Sequence, residues 1–347
     1  MKITVLMGGL SPERNVSLSS GSLIAAALRR RGHEVMALDL YVGVPEEICD
    51  VNLLFTTQQQ NNVTVPKGLP DLDAIIAENG GRSDEIGPRV IDACRAADCT
   101  FLALHGATGE NGQLQAMLDA YGIPYTGSGY IGSMLAMDKD IAKIILRAAG
   151  ILTPDWVRVD TLQAYDISAI ISAVGLPAVI KPCSSGSSVG VFMADTADEL
   201  CSALKSAAEY ERYVMVETRI KGRELTCAYF DGEALPPVEI IPEADFYDYL
   251  RKYQANATRE ICPAPIGDVA TQAVYEATKR GFAALRLDGY ARFDYILDAD
   301  GRAWCLEANT LPGMTPTSLL PQEAAAKGMG YDELCERIAK SALKKNK

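Results

Sequence analysis

The sequence predicts an α/β (α+β) fold, and three observations carry that prediction. Lys2–Met7 is a short apolar run with the look of a buried strand. Val16–Arg31 has the period of an amphipathic helix, and Glu34–Leu40 is a second strand, so the chain opens with a βαβ unit and a parallel sheet. Far downstream, Arg292–Asn309 reads RFDYILDADGRAWCLEAN, two alternating strands around Asp300-Gly301, a strong hairpin signal.

Size and charge bound the rest. With 347 residues there is room for two or three domains and a large core. A net charge of −12 offers no basic surface, so neither nucleic acid nor an anionic membrane is an expected partner. Arg29-Arg30-Arg31 and Lys344-Lys345 read as helix C-terminal charges. Ile3–Met7 stops at Gly8-Gly9 and does not make a signal peptide. Ile167–Ile180 is too short to span a bilayer and is broken by Gly175 and Pro177. Nine cysteines without a CxxC pair favour reduced thiols in a cytoplasm over disulfides or a zinc site.

Taken in order, Gly8-Gly9 follows the first strand, where open α/β sheets bind ligands, but no GxGxxG is present. In the next loop Glu13 suits either a substrate ammonium or the positive end of a helix. Val42–Pro70 reads as an insertion with a loop tip at Gln58–Asn62. A helix at Pro88–Ala96 leads to a strand Thr100–Leu104, and His105-Gly106 stands at its end. His105 there is either structural or functional, whereas His33 reads as structural. Asp138–Ala149 is a helix whose first turn holds Lys139, a cation that opposes the helix dipole and so suggests a phosphate partner. The strand Leu176–Ile180 delivers Lys181-Pro182. The run Cys183–Gly190 then reads as a serine-rich loop before a strand Val189–Met193. It is either a mobile hairpin or a cradle of backbone N–H groups for phosphate, and it is not GxxxxGK[ST]. Asp198–Ala208 is a helix, and Val214–Glu217 and Leu225–Phe230 are strands. Phe246–Tyr253 is rich in aromatic and basic residues, as an active-site cover would be. Val269–Ala284 is a helix beneath the hairpin, and Ser318 opens a helical region that ends at Lys340.

The hairpin carries the chemistry. With Asp300-Gly301 as a two-residue type I′ turn, Ala299 pairs with Arg302, Leu297 with Trp304, Asp294 with Glu307 and Arg292 with Asn309. Phe293, Tyr295, Leu297, Trp304, Leu306 and Ala308 then form an apolar face. Arg292, Asp294, Glu307 and Asn309 form the other. Two carboxylates and an amide oxygen suit Mg²⁺, and an arginine beside them suits a phosphoryl group in transfer. The pattern also fits a solvated face with a cross-strand Arg–Asp pair.

Six stretches in order, GGLSPERNVSLSSG, LHGATGENGQLQ, YTGSGYIGSMLAMDK, IKPCSSGSSVGV, FYDYLRKY and LEANTLPGMTPTSL, resemble those of the D-alanine–D-alanine ligases of the ATP-grasp superfamily. The resemblance covers nearly the whole chain. It implies an ATP-grasp fold behind an N-terminal parallel-sheet domain. The units would be residues 1–127 for substrate, 128–217 as the central subdomain and 218–347 as the C-terminal subdomain with the metal site. It implies ATP as a substrate and two Mg²⁺ or Mn²⁺ ions held by Asp294, Glu307 and Asn309. By position, Lys139, Lys181, Ser187, Glu217, Glu224 and Lys252 match ATP-binding residues. Arg292 and the Gly313 N–H match the groups at the phosphoryl and the oxyanion. Glu13, Ser187 and Tyr253 match a network at the substrate amine, His105 a neighbour of the first D-alanine, and Ser318 and Leu319 the second D-alanine's carboxylate site. The implied reaction joins two D-alanines through a D-alanyl phosphate, in a cytoplasmic homodimer. A D-serine or D-lactate acceptor is the alternative. Departures are Asn15 for a frequent Glu, Cys183-Ser184-Ser185 for a more charged loop start, Leu311 for a frequent Ser, and the long Val42–Pro70 region.

Overall fold

The computed structural model describes residues 1–59, 68–186, 189–242 and 258–344. Ser187, Lys252 and Tyr253, with the rest of Phe246–Tyr253, lie outside the described residues. So do Gln60-Asn61-Asn62 of the expected loop tip.

Three sheets follow one another along the chain. The first holds β1 (Lys2–Met7) between β2 (Glu34–Asp39) and β3 (Cys99–Leu102), all parallel. Five of six β1 side chains are buried, as a central parallel strand covered on both faces requires. One cover is the helix Arg14–Arg30, which buries Ile24, Ala25, Ala27 and Leu28. The other includes the last helix, Tyr331–Ala342, whose Leu334, Cys335, Ile338, Ala339 and Ala342 stand at helical spacing and join the same core. The segment expected as an insertion packs Val51 and Phe55 into this core, and Thr56 bridges antiparallel to Val35 at the sheet edge.

The second sheet contains β4 (Trp156–Asp160), β5 (Ala178–Pro182), β6 (Phe192–Ala194) and β7 (Tyr213–Thr218) in the order β4-β7-β5-β6, antiparallel. Val159, Ala178, Ile180, Val214 and Val216 form its apolar face, covered by the helices Ile167–Val174 and Ala197–Ala207. The second of these starts at a capping box of Thr196 and Glu199. The opposite face carries Lys181 and Glu217, because opposed and alternate residues share a face.

The third sheet contains β8 (Arg223–Phe230), β9 (Glu233–Ala234), β10 (Val238–Pro242), β11 (Thr258–Ile261), β12 (Tyr290–Leu297) and β13 (Ala303–Asn309), with β8 and β12 at its centre. The helices Asp268–Ala284 and Lys139–Ala148 pack on its apolar side. There Thr278 hydrogen-bonds the Tyr295 hydroxyl at 2.9 Å.

The hairpin departs from the expected register in two places that cancel. Its loop is one residue longer: Asp298 N–H donates to Arg302 O, and only Gly301 (φ +77°) takes the left-handed conformation, so the turn is not type I′. Asp298 caps this loop through Asp300 N–H, Arg302 N–H and the Trp304 indole. Leu297 therefore pairs with Ala303, Ile296 with Trp304 and Tyr295 with Cys305. Leu306 is then a one-residue bulge, beyond which Asp294 pairs with Glu307 and Arg292 with Asn309, as expected. The apolar face is accordingly Phe293, Tyr295, Leu297, Ala303, Cys305 and Ala308. Simple alternation puts Trp304 and Leu306 on that face; the longer loop and the bulge take both off it.

All nine cysteines are free thiols. No helix among the described residues is long and apolar enough to cross a membrane.

Candidate active site

The bulge sets the site. It turns Glu307 and Asn309 onto the face that carries Arg292 and Asp294, and β8 adds Glu224 and Thr226, opposite Ile296 and Asp294. Asp294 is the hub. It accepts Arg292 Nε and Nη2 at 2.8 Å each, Thr226 Oγ1 at 2.9 Å and Asn309 Nδ2 at 3.0 Å. Burial disfavours the Arg292 charge, but Asp294 and then Glu307 outweigh it and hold its pKa above the usual value. Glu307 Oε2 lies 3.6 Å from Lys139 Nζ. With Asn309 Nδ2 turned to Asp294, its amide oxygen points away from that bond. Two carboxylates and an amide oxygen are hard donors that fit Mg²⁺ or Mn²⁺. Among the described residues no three His, Cys, Asp or Glu side chains make a metal cluster, so Asn309 and phosphate oxygens would have to complete an ion's shell.

A cluster of lysines faces this hairpin. Lys139 is the first residue of its helix, capped by Asp138, and Lys139 Nζ donates to Ser185 O at 2.5 Å. The first-turn lysine thus ties down the serine loop. One turn later Lys143, 1% exposed at its side chain, reaches Glu217 Oε2 at 2.5 Å, and Lys181 Nζ reaches Glu217 Oε1 at 2.6 Å. Burial pushes up the Glu217 carboxyl, but the two ammonium groups outweigh it and hold it below its ordinary value. Burial also pulls Lys143 down to about 8 against the pull of Glu217. Burial acts on Lys181 too, yet Glu217 and Glu307 keep its pKa raised. Both Glu217 oxygens are engaged, so Glu217 serves first as the anion that makes two buried cations tolerable. Sequence reasoning missed Lys143. Its only signal was the four-residue spacing from Lys139, which puts both on one helix face.

The substrate end is built by loops. Glu13 stands at the N-cap position of the helix Arg14–Arg30, where its side chain makes no capping bond, and its Oε2 would lie 2.9 Å from a Cβ on Gly106 and 3.3 Å from one on Gly186. Gly106 also has φ +67°, so only glycine serves there. The geometry brings Glu13 beside the serine loop. His105 is buried, and its Nδ1 lies 3.0 Å from Leu311 O, an acceptor, so Nδ1 carries the proton. Burial lowers its pKa although Glu13 pulls the other way. Glu110, also missed, accepts Gly106 N–H at 2.5 Å and Leu311 N–H at 3.3 Å. Burial and then the charge of Glu13 push its pKa up to about 7. A Cβ on Gly313 would meet Ser318 Oγ at 3.0 Å, which keeps that position bare beside the serine. Ser318 Oγ in turn accepts Thr315 N–H at 3.1 Å, and Ser318 and Leu319 open the helix Leu319–Ala326. A helix start leaves backbone N–H groups free for a carboxylate. Glu323 of that helix, a second unanticipated carboxyl, accepts Ala228 N–H at 2.6 Å where Pro236-Pro237 interrupt the neighbouring strand.

Known proteins match this arrangement along the whole chain. The model of the D-ala D-ala ligase N-terminus matches residues 2–128, and that of the D-ala D-ala ligase C-terminus matches residues 145–340. A D-alanine–D-alanine ligase of Gloeobacter violaceus is 38% identical over 345 residues, covering 99% of this chain and 100% of the relative. One of Anaeromyxobacter sp. (strain K) is 36% identical over 344 residues, 99% of this chain and 97% of the relative. Among solved structures, the D-alanine–D-alanine ligase of Bacillus anthracis complexed with ATP superposes with a TM-score of 0.76 at 32% identity, covering 99% of this chain and 97% of that one. The fold is the α/β ATP-grasp fold with an N-terminal parallel sheet, and the chain belongs to the D-alanine–D-alanine ligase family.

Proposed function

We infer that the chain carries out its family's reaction, the ATP-dependent joining of two D-alanines into D-alanyl-D-alanine for peptidoglycan precursors. The observation that carries this most is the bulged hairpin, which sets two carboxylates, an amide and a buried arginine on one face opposite a lysine cluster. Such a face is suited to a polyphosphate and its counter-ions.

The residue roles form one sequence of steps. Lys139 and Lys181 hold nucleotide phosphates, and Glu224, on the same face of β8, holds the ribose. Glu217 stands at the adenine edge while neutralising Lys143 and Lys181. Asp294, Glu307 and Asn309 would hold Mg²⁺ or Mn²⁺, two ions in all, which supply charge neutralisation at the phosphoryl oxygens. Glu13 accepts the ammonium of the first D-alanine, with Ser187 and Tyr253 completing that network, and His105 lies close by. The first D-alanine's carboxylate oxygen attacks the γ-phosphorus, and ADP leaves. Arg292, already charged and fixed by Asp294, stabilises the transferring phosphoryl. Ser318 and Leu319 hold the second D-alanine's carboxylate. Its free amine then attacks the acyl carbon, and Arg292 and the Gly313 N–H stabilise the oxyanion. Phosphate departs and the nitrogen loses a proton. An acyl phosphate hydrolyses in water, so the serine loop and the Phe246–Tyr253 segment with Lys252 act as covers. The reading extends to a homodimer in the cytoplasm that engages neither nucleic acid nor membrane.

Incubation with ATP, Mg²⁺ and a panel of D-amino and D-hydroxy acids, with products identified by mass, tests the reading. D-Alanyl-D-alanine with one ADP per dipeptide is expected. A preference for D-serine or D-lactate as acceptor, or no ADP at all, would overturn it.

A further inference from the structure

Leu311 has both of its backbone polar groups held by one loop of the first unit. Its N–H goes to Glu110 Oε1 at 3.3 Å and its C=O receives His105 Nδ1–H at 3.0 Å. The other oxygen of Glu110 takes Gly106 N–H at 2.5 Å. Gly106 is the residue packed against Glu13, and Leu311 lies two residues from both Asn309 and Gly313. One carboxylate therefore bridges the loop that surrounds Glu13 and the loop between Asn309 and Gly313. Its contacts are to backbone, so substitution of Gly106 or Leu311 side chains would not replace it. The Leu311 side chain is 3% exposed and packs in the core of the first sheet, which anchors the far end of the bridge.

We propose that Glu110 is a positioning residue that fixes the Asn309–Gly313 loop against the Glu13 loop, so that an acyl phosphate whose ammonium is held at Glu13 keeps its acyl oxygen at the Gly313 N–H and is consumed by the second D-alanine's amine before water reaches it. The inference rests on the ligase reading. Glu110 touches no reacting atom in it. A carboxylate accepts a hydrogen bond at each oxygen, and the bridge needs both. Glutamine has one acceptor and one donor, so Glu110→Gln must set an NH₂ group against an N–H at one end, whichever way it turns. The bridge then opens on one side only. The two loops lose their shared register, and small displacements from good attack geometry are costly. The intermediate remains bonded to phosphate, and water becomes its acceptor: water oxygen bonds to the acyl carbon, phosphate leaves, and D-alanine is regenerated. The net reaction of such a turnover is ATP plus water to ADP plus phosphate, without dipeptide.

The experiment measures ADP and dipeptide in the same reaction for wild type, Glu110→Gln and Glu110→Asp, with thermal unfolding of each. Wild type is expected to give one ADP per dipeptide. Glu110→Gln should give severalfold more ADP than dipeptide while the KM for ATP stays within about twofold. Glu110→Asp keeps two acceptors on a shorter arm and should fall between them. Should Glu110→Gln fail to fold, the ratio in Glu110→Asp decides alone. A ratio of one in every folded variant, at whatever rate, would overturn the proposal, since a merely structural residue slows both products together. If wild type itself forms no dipeptide, the ligase reading fails first, and the two failures are told apart.

Discussion

At the level of single residues, the site is a balance of buried charges, and removing one member has a sign that can be worked out. Glu307→Gln keeps the shape of the side chain but removes a charge opposite Lys139. The residue lies on the polar face, away from the apolar packing of Phe293, Tyr295 and Cys305, so folding should be retained. Turnover is expected to fall on the order of 10²–10³-fold, the scale of losing one electrostatic contact to a transition state. ADP release assays and a melting curve check both halves, and near-normal turnover would remove Glu307 from the metal assignment. Glu217→Gln does something different. It leaves Lys143 and Lys181 buried together without an anion, and breaking such a cluster costs about 3–5 kcal/mol. Both lysines then have depressed folded pKa values, and Lys143 already stands at about 8 in the intact cluster. A lysine with a lowered folded pKa is penalised below that value and relieved as pH rises toward its unfolded value. Relief of Lys143 above about pH 8 is common to both proteins, so the Lys143 share of the Glu217→Gln deficit is largest at lower pH and is lost as pH rises to about 8, while the Lys181 share, whose pKa is raised in wild type, shrinks at higher pH. Denaturant unfolding of both proteins along a pH series measures the deficit, and a deficit that grows with pH would contradict the cluster.

At the level of elements, the bulge at Leu306 decides which side chains meet the nucleotide. Deleting Leu306 would leave a regular hairpin in which Glu307 and Asn309 move by one position, and a one-residue slip exchanges faces. Carboxylates would then enter the core beside Tyr295, and Leu306 deletion should abolish both folding of the third sheet and activity. Leu306→Ala keeps the extra residue and should keep turnover within a few-fold. The pair of variants, compared by circular dichroism and ADP release, separates the bulge from the side chain that occupies it. The same hairpin shows how much was legible in the sequence. The alternation and Asp300-Gly301 located both strands, and the grouping of Arg292, Asp294, Glu307 and Asn309 on one face was correct. The bulge was invisible because Trp304-Cys305-Leu306 is apolar throughout, and an unbroken apolar run does not say which member points inward. Other losses have similar causes. The helix Ile167–Val174 lies within the apolar run Ile167–Ile180, although Asp166 caps its start and Gly175 its end, and β10 with β11 flank a segment rich in aromatic and basic residues. Lys143 and Glu323 were missed because a single charged residue in a helix reads as solvated surface, and Glu110 because the run Gly109-Glu110-Asn111-Gly112 reads as a loop that supports His105 without a role for its own carboxyl. Only the tertiary fold reveals that each has been carried inside to meet a partner.

At the level of the whole molecule, the chain closes on itself, and that closure has its own pH dependence. The last helix, Tyr331–Ala342, adds Leu334, Ile338 and neighbouring residues to the core of the first sheet. Burial of such residues is worth about 2–5 kcal/mol each when judged by truncation to alanine. That is a large share of the roughly 5–15 kcal/mol by which a domain is stable, so a chain ending at Gly330 should not hold its first sheet together. Protease resistance of residues 1–330 against the full chain measures this. A polar seam borders the same contact. Arg30 meets Asp332 at 2.6 Å, and Glu336 collects Arg31 at 2.7 Å, Lys340 at 2.9 Å and His33 Nε2 at 3.2 Å. Hydrogen bonds from Arg31 and then Lys340 hold the Glu336 carboxyl down to about 2. A carboxyl with a depressed folded pKa stabilises the fold above its unfolded value, near 4.5, and loses that contribution as pH falls through the folded value. The partners Arg31 and Lys340 are about half exposed, so solvent screens the pairs and the net effect is well below that of a buried ion pair. Glu336→Gln should therefore be modestly less stable than wild type at pH 6, and the difference should vanish between about pH 4.5 and 2. Raising the salt concentration should shrink the pH 6 difference as well, because exposed charges are screened. Denaturant midpoints of the two proteins along this pH series decide the matter. A difference that persists unchanged at pH 2 would mean that Glu336 packs the helix rather than tying it by charge.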